Sequence, residues 1–131
     1  MPYILDTHVI LWILDEENRL SPKARNLVTD LSSTCFFSVA SFFEMAIKKK
    51  IGKLELSKSL QEYIAEIERI GFIVMPVKSE HLDGYDKIPL INDHRDPFDR
   101  LILATAYCEK LKIISADEKF HQYSQLVEII W

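Results

Sequence analysis

The chain has 131 residues, 48% of them hydrophobic, with three glycines and five prolines; it can fill one core without staples, and no linker, repeat or low-complexity tract divides it, so a single domain over residues 1–131 is expected. Its formal net charge of −4 excludes a domain that coats nucleic acid nonspecifically through surplus Lys and Arg, although metal ions gathered by acids would supply positive charge locally. No stretch is long enough to span a membrane, and the start MPYILDTHVILWILDEE lacks a basic n-region, so a soluble cytoplasmic protein is expected.

In chain order, the apolar YIL reads as a first strand, and HVILWIL after Asp6-Thr7 as a short helix. Ser21-Pro22 supplies an N-cap and a first-turn proline for KARNLVTDL. TCFFSV, rich in aromatic and β-branched residues, predicts a second strand, and ASFFEMAIKKK a helix with Lys48, Lys49 and Lys50 in its last turn and Gly52 as its stop. A further amphipathic helix fits SKSLQEYIAEIERI, with Leu60, Ile64 and Ile67 on one stripe and Gly71 closing it. FIVMPV is the third strand, followed by a polar stretch. DPFDRLILATAYCEKL is helical, KIIS the fourth strand and LVEII a fifth. Strands alternating with helices predict an α/β fold: a central parallel sheet of four to five strands covered on both faces. Cys35 and Cys108 lie among apolar residues without CxxC spacing and read as buried, reduced thiols, not zinc ligands.

Sites in open parallel sheets form outside the carboxyl ends of strands. Asp6 follows the first strand and Asp117 the fourth, each readable also as a helix cap. Asp96 and Pro97 suit the N-cap and first turn of the next helix, and Asp99 its third position, where a carboxylate can reach back toward the cap. Asp99 also lies over Leu103 and Ala106, an apolar stripe on which a charge is costly unless paired or metal-bound. Glu44 interrupts SFFEMAI and reads equally as an exposed helix position or a site residue. Carboxylates crowded at one sheet edge repel unless a cation shares them, and oxygen ligands without His or Cys favour Mg²⁺ or Mn²⁺. Such sites serve phosphoryl transfer, in which two ions about 3.5–4 Å apart activate a water and stabilise the leaving oxygen.

LDTHVILW, SVASFFEMAIKKKIGKLEL, GFIVMPV, DHRDPFDRLILATA and IISADEKFHQY occur in an order that resembles the PIN-domain ribonucleases, specifically VapC-type toxins of toxin–antitoxin pairs. DPFDR with its downstream AxA is the most specific element. The resemblance implies a three-layer α/β/α fold and a metal pocket of Asp6, Glu44, Asp99 and Asp117, with Thr7 and Ser115 as flanking hydroxyls and Asp96 mainly a cap. It implies an Mg²⁺- or Mn²⁺-dependent endoribonuclease, in which water attacks the phosphodiester and leaves 5′-phosphate and 3′-hydroxyl ends. It also implies a homodimer, and a VapB-like cognate antitoxin seated in a hydrophobic groove. Phe43 stands where relatives often carry Trp, ATA replaces AQA, and Ser115 replaces a usual Thr; none of these removes a carboxylate.

Several residues keep two readings. Arg100 is an ion-pair partner of Asp96 or Asp99, or an RNA phosphate contact; Arg95 is the same choice evenly balanced. Lys48 heads a basic cluster with Lys49, Lys50 and Lys53 that is either a solvated helix end or an RNA backbone contact. His8 reads as structural, and His81 and His121 lack evident partners. Trp12, Phe42 and Phe43 are core, or anchors for the antitoxin. A haloacid dehalogenase-type phosphatase would need a second Asp two residues after the first, where His8 stands. The non-enzymatic alternative is an inactive PIN-fold module that binds RNA or protein.

Overall fold

The structure, a computed structural model, describes residues 1–131. Strand β1 (Pro2–Leu5) leads through Asp6 into helix α1 (Thr7–Asp15), then a 3₁₀ turn (Glu17–Arg19) and helix α2 (Pro22–Thr29). Ser21 caps α2 by accepting from the Ala24 amide, as Ser-Pro predicts. Strand β2 (Thr34–Ser38) runs directly into helix α3 (Val39–Lys50), and helix α4 (Leu60–Arg69) opens on a reciprocal Ser59–Glu62 capping box. Gly52 and Gly71 follow these two helices at φ +79° and +105°, conformations that a side chain would strain. Strand β3 (Ile73–Met75), helix α5 (Ser79–Lys87), helix α6 (Pro97–Glu109), strand β4 (Lys112–Ile114), a 3₁₀ turn (Glu118–Tyr123) and strand β5 (Ile129–Ile130) complete the order.

All neighbouring strands pair in parallel, in the order β3-β2-β1-β4-β5. Because successive side chains point to opposite faces, each strand feeds two cores. Tyr3, Leu5, Phe37 and Ile114 join Val9, Ile10, Ala24, Phe42, Met45 and Ile67 on one face. Ile4 and Ile113 join Ile102, Leu103, Ala106, Phe120 and Tyr123 on the other. The result is the expected three-layer α/β/α arrangement, with five strands. The chain leaves β1 toward β2 on one side, while β4 lies on the other, so the order reverses between β1 and β4. A crevice at their carboxyl ends is the consequence.

Helix α5 lies within the stretch read only as polar. Its buried members are His81 and Gly84, neither of which signals a core position. It packs against α6 because Gly84 has no side chain: a Cβ there would stand 2.5 Å from Cys108 Sγ. Cys35 is buried as expected, but Cys108 is only half-buried, its thiol donating to the Glu80 carbonyl at the rim of this helix pair. No helix is long and apolar enough to cross a membrane.

Candidate active site

The crevice collects acids for local reasons. Asp6 ends β1 and caps α1, taking the Thr7 amide on Oδ1 at 2.7 Å and the Ser115 hydroxyl on Oδ2 at 2.9 Å. Ser115, the residue after β4, also accepts from the Asp117 amide at 3.0 Å, while Asp117 caps the following 3₁₀ turn through the Lys119 amide. For both acids, cap and pocket are therefore the same placement. Glu44 is 3% exposed. Thr7 donates to its Oε1 at 2.8 Å and Lys48 Nζ to its Oε2 at 2.6 Å. The Thr7 hydroxyl also lies 2.9 Å from Ser41 Oγ; with one proton to give, it serves the carboxylate and leaves Ser41 to donate.

Asp96 caps α6, with the Phe98 and Asp99 amides both on its Oδ1, and Pro97 occupies the first turn. Asp99 does not reach back to the cap as a capping box would. Its Oδ2 instead meets His94 Nε2 at 3.0 Å, and His94 Nδ1 meets the Tyr123 hydroxyl at 3.0 Å. The turn that delivers His94 inward places Asn92 and Asp93 in the left-handed region, φ 50° and 56°. Asn and Asp are the non-glycine residues that adopt this conformation most readily.

The electrostatics follow from this crowding. Asp99 is pushed up to about 8, first by burial and then by Asp96, Asp6, Asp117 and Glu44. Asp6 is also raised, by burial and by Glu44, against the Ser115 and Thr7 hydrogen bonds and the charge of His8. Burial works against the charge on Lys48, but the hydrogen bond and charge of Glu44, with Asp96 and Asp99, outweigh it and hold its pKa up. His94 is lowered by burial and by Lys119 and Arg100, against the pull of Asp117 and Asp96. It is therefore largely neutral near pH 7, a hydrogen-bonding partner of Asp99 more than a counter-charge.

As the side chains stand, no group of three or more His, Cys, Asp or Glu is drawn together tightly enough to hold a metal ion; Asp6, Glu44 and Asp99 are each hydrogen-bonded to a protein partner. The donor set still fits a hard divalent cation: Asp6, Glu44, Asp99 and Asp117 offer oxygen only, and their mutual repulsion is what such a cation relieves.

The remaining candidates separate. Arg100 makes no ion pair with Asp96 or Asp99: it is 3% exposed and donates to the carbonyls of Ile88 at 2.7 Å and Pro89 at 3.1 Å, with its guanidinium over Tyr85. It ties the end of α5 to α6. Arg95 is exposed and pairs only with the exposed Asp93. Lys49, Lys50 and Lys53 are exposed, whereas Lys48 turns inward. His8 is exposed, its ring 6.2 Å from that of Trp12. His81, expected to lack partners, is fully buried, accepting from the Lys78 amide at 3.1 Å and lying 3.3 Å from Glu109. The pairing of His94 with Tyr123 is not legible in the sequence. The histidine in DHRDPFD was the available signal, but its tyrosine lies 29 residues further on.

Phe42 is core at 4% exposure, but Phe43 is 62% exposed. It stands edge-on to Phe98 and lines an apolar groove with Val39, Leu82, Tyr85 and Leu101, between α3, α5 and the start of α6.

The sequence profile of the PIN domain matches residues 3–126. No curated protein matches by sequence. Among solved structures, the fold is similar to VapBC-1 from nontypeable Haemophilus influenzae, with TM-score 0.64 and 21% identity, covering 99% of this chain and 97% of that one. It is similar to VapBC2 from Rickettsia felis bound to a DNA fragment from their promoter, with TM-score 0.63 and 15% identity, covering 99% and 98%. It is similar also to FitAcB from Neisseria gonorrhoeae, with TM-score 0.61 and 21% identity, covering 100% and 97%.

Proposed function

The chain belongs to the PIN domain family, and from that premise we propose that it is a metal-dependent endoribonuclease, the toxin of a VapBC-type toxin–antitoxin pair. The observation that carries the reading is the convergence of Asp6, Glu44 and Asp99, with the charges of Asp96 and Asp117 beside them, at the reversal point of a parallel sheet. Asp6, Glu44, Asp99 and Asp117 are the residues that hold Mg²⁺ or Mn²⁺. A bound divalent ion supplies an activated water and charge stabilisation at the departing oxygen of an in-line displacement.

The rest is done by the chain. Ser115 and the Thr7 amide hold Asp6, and the Thr7 hydroxyl and Lys48 hold Glu44, fixing the orientation of both carboxylates. His94, held by Tyr123, does the same for Asp99. Phosphate is met by Arg95, whose only partner is the equally exposed Asp93, and by Lys48. The groove beside Phe43 takes an apolar segment of the antitoxin, and the active form is a homodimer.

The test is cleavage of total RNA by the purified, antitoxin-free protein with Mg²⁺ or Mn²⁺ and with EDTA, beside Asp6→Asn and Asp99→Asn. Cleavage that needs metal and falls at least about a hundredfold in both folded variants supports the reading. Cleavage unchanged in the variants refutes it. Metal binding without cleavage favours an inactive PIN-fold module that binds RNA or protein.

A further inference from the structure

Three lysines end α3, but only one turns into the protein. Lys49 and Lys50 are exposed, while Lys48 is half-buried and reaches back one turn to Glu44 Oε2 at 2.6 Å. An exposed i,i+4 pair of this kind contributes little and is readily lost to water. Here one partner, Glu44, is out of water, and Asp96 and Asp99 attract the ammonium from further off, so Lys48 is the one Lys or Arg in contact with any of the four pocket acids. The opposite end of the lysine is not enclosed: its side chain is 36% exposed, and four methylenes give the charge a path outward.

An ammonium and a divalent ion compete for the same Glu44 oxygen, and at contact distances their repulsion is large even with solvent screening. Taking Asp6, Glu44, Asp99 and Asp117 as metal ligands, as in the reading above, we propose that Lys48 is the exchangeable counter-cation of the pocket. Its ammonium neutralises Glu44 while the acids hold no divalent ion. Metal entry displaces it outward onto an RNA phosphate. The exchange couples two binding events: metal releases the lysine for the phosphate, and phosphate draws the lysine from the metal's ligand, so each ligand tightens the other.

The experiment is calorimetric titration of MnCl₂ into wild type, Lys48→Met, Lys48→Arg and Asp99→Asn, with RNA-cleavage kinetics for the two lysine variants. Lys48→Met removes the competing charge and keeps the stem. It is expected to bind Mn²⁺ about tenfold more tightly, while its KM for RNA rises several-fold and the dependence of log affinity on log salt becomes shallower by about one. Lys48→Arg keeps a cation and stays near wild type for Mn²⁺. If Mn²⁺ binding is lost in Asp99→Asn but Lys48→Met binds no more tightly than wild type, the exchange is overturned and the nuclease reading stands. If Lys48→Met binds Mn²⁺ more tightly at unchanged KM, the displaced lysine is not a phosphate ligand and the proposal fails in that half. Wild-type binding that Asp99→Asn leaves unaltered overturns the metal site itself.

Discussion

Asp99→Asn should make the metal-free protein more stable, and increasingly so as pH rises. Folded Asp99 holds its proton up to about 8, against an ordinary value of 3.8. Between those two pH values the folded state binds more protons than the unfolded one, so stability falls as pH increases through the window. A difference of about 4 units at 1.36 kcal/mol each sets a ceiling on the order of 5 kcal/mol; water entry and rearrangement of neighbouring acids leave roughly 2–4 kcal/mol of it. Asparagine keeps an oxygen for His94 and removes the charge. His94, whose own pKa is lowered, costs both proteins stability as pH falls below its ordinary value, and that contribution largely cancels in the difference. Urea unfolding in EDTA should therefore find the two proteins nearly equal at pH 4.5, and the variant ahead by about 2–4 kcal/mol at pH 8.5. Adding Mn²⁺ at a hundred times its Kd should stabilise only wild type, by about 2.7 kcal/mol. A variant no more stable than wild type at pH 8.5 in EDTA, or a gap that does not grow with pH, would refute the account of Asp99 as a crowded carboxyl.

Gly84→Ala drives a methyl group to 2.5 Å from Cys108 Sγ and should cost about 1–3 kcal/mol in urea unfolding; Cys108→Ala in the same chain should recover most of it. Arg100→Met leaves the Ile88 and Pro89 carbonyls without their donor and should cost about 2–4 kcal/mol, with midpoint loss in thermal unfolding as the readout. Phe43→Asp changes an exposed side chain and should shift stability by less than about 0.5 kcal/mol. Co-expressed with the proposed antitoxin, it should fail to co-purify with it, whereas retained co-purification would move the antitoxin off this groove.

What could be read in advance was what local chemistry dictates. Asp6 and Asp117 were legible because a strand end and a cap coincide there, and Ser21 and Asp96 because a cap followed by proline has few other meanings. Helix α5 was not: SEHLDGYDK has no apolar period, Leu82 faces outward, and the helix exists because Gly84 admits a close approach to α6. The partners of Arg100 were hidden for the same reason, since they are carbonyls that become available only where α5 ends. Glu44 read equally as surface or site because its period is that of an ordinary helix; what buries it is Thr7, 37 residues away.

Every fully buried polar side-chain atom of the pocket has a hydrogen-bond partner, yet the pocket's charge is not balanced. No buried side-chain nitrogen or oxygen lacks a partner: Ser115 serves Asp6, Thr7 and Lys48 serve Glu44, and His94 serves Asp99. Hydroxyls and a largely neutral imidazole orient the carboxyls without cancelling their charge, the one Lys or Arg in contact with the four acids is Lys48 on Glu44, and Asp99 yields to the crowding by keeping its proton up to about 8. Removing an acid should thus relieve the metal-free fold while abolishing what the acids gather, the usual opposition between stability and activity at a strained site. The effect should be greatest at Asp99, whose buried carboxyl has no cation in contact, and least at Glu44, where Lys48 already supplies one.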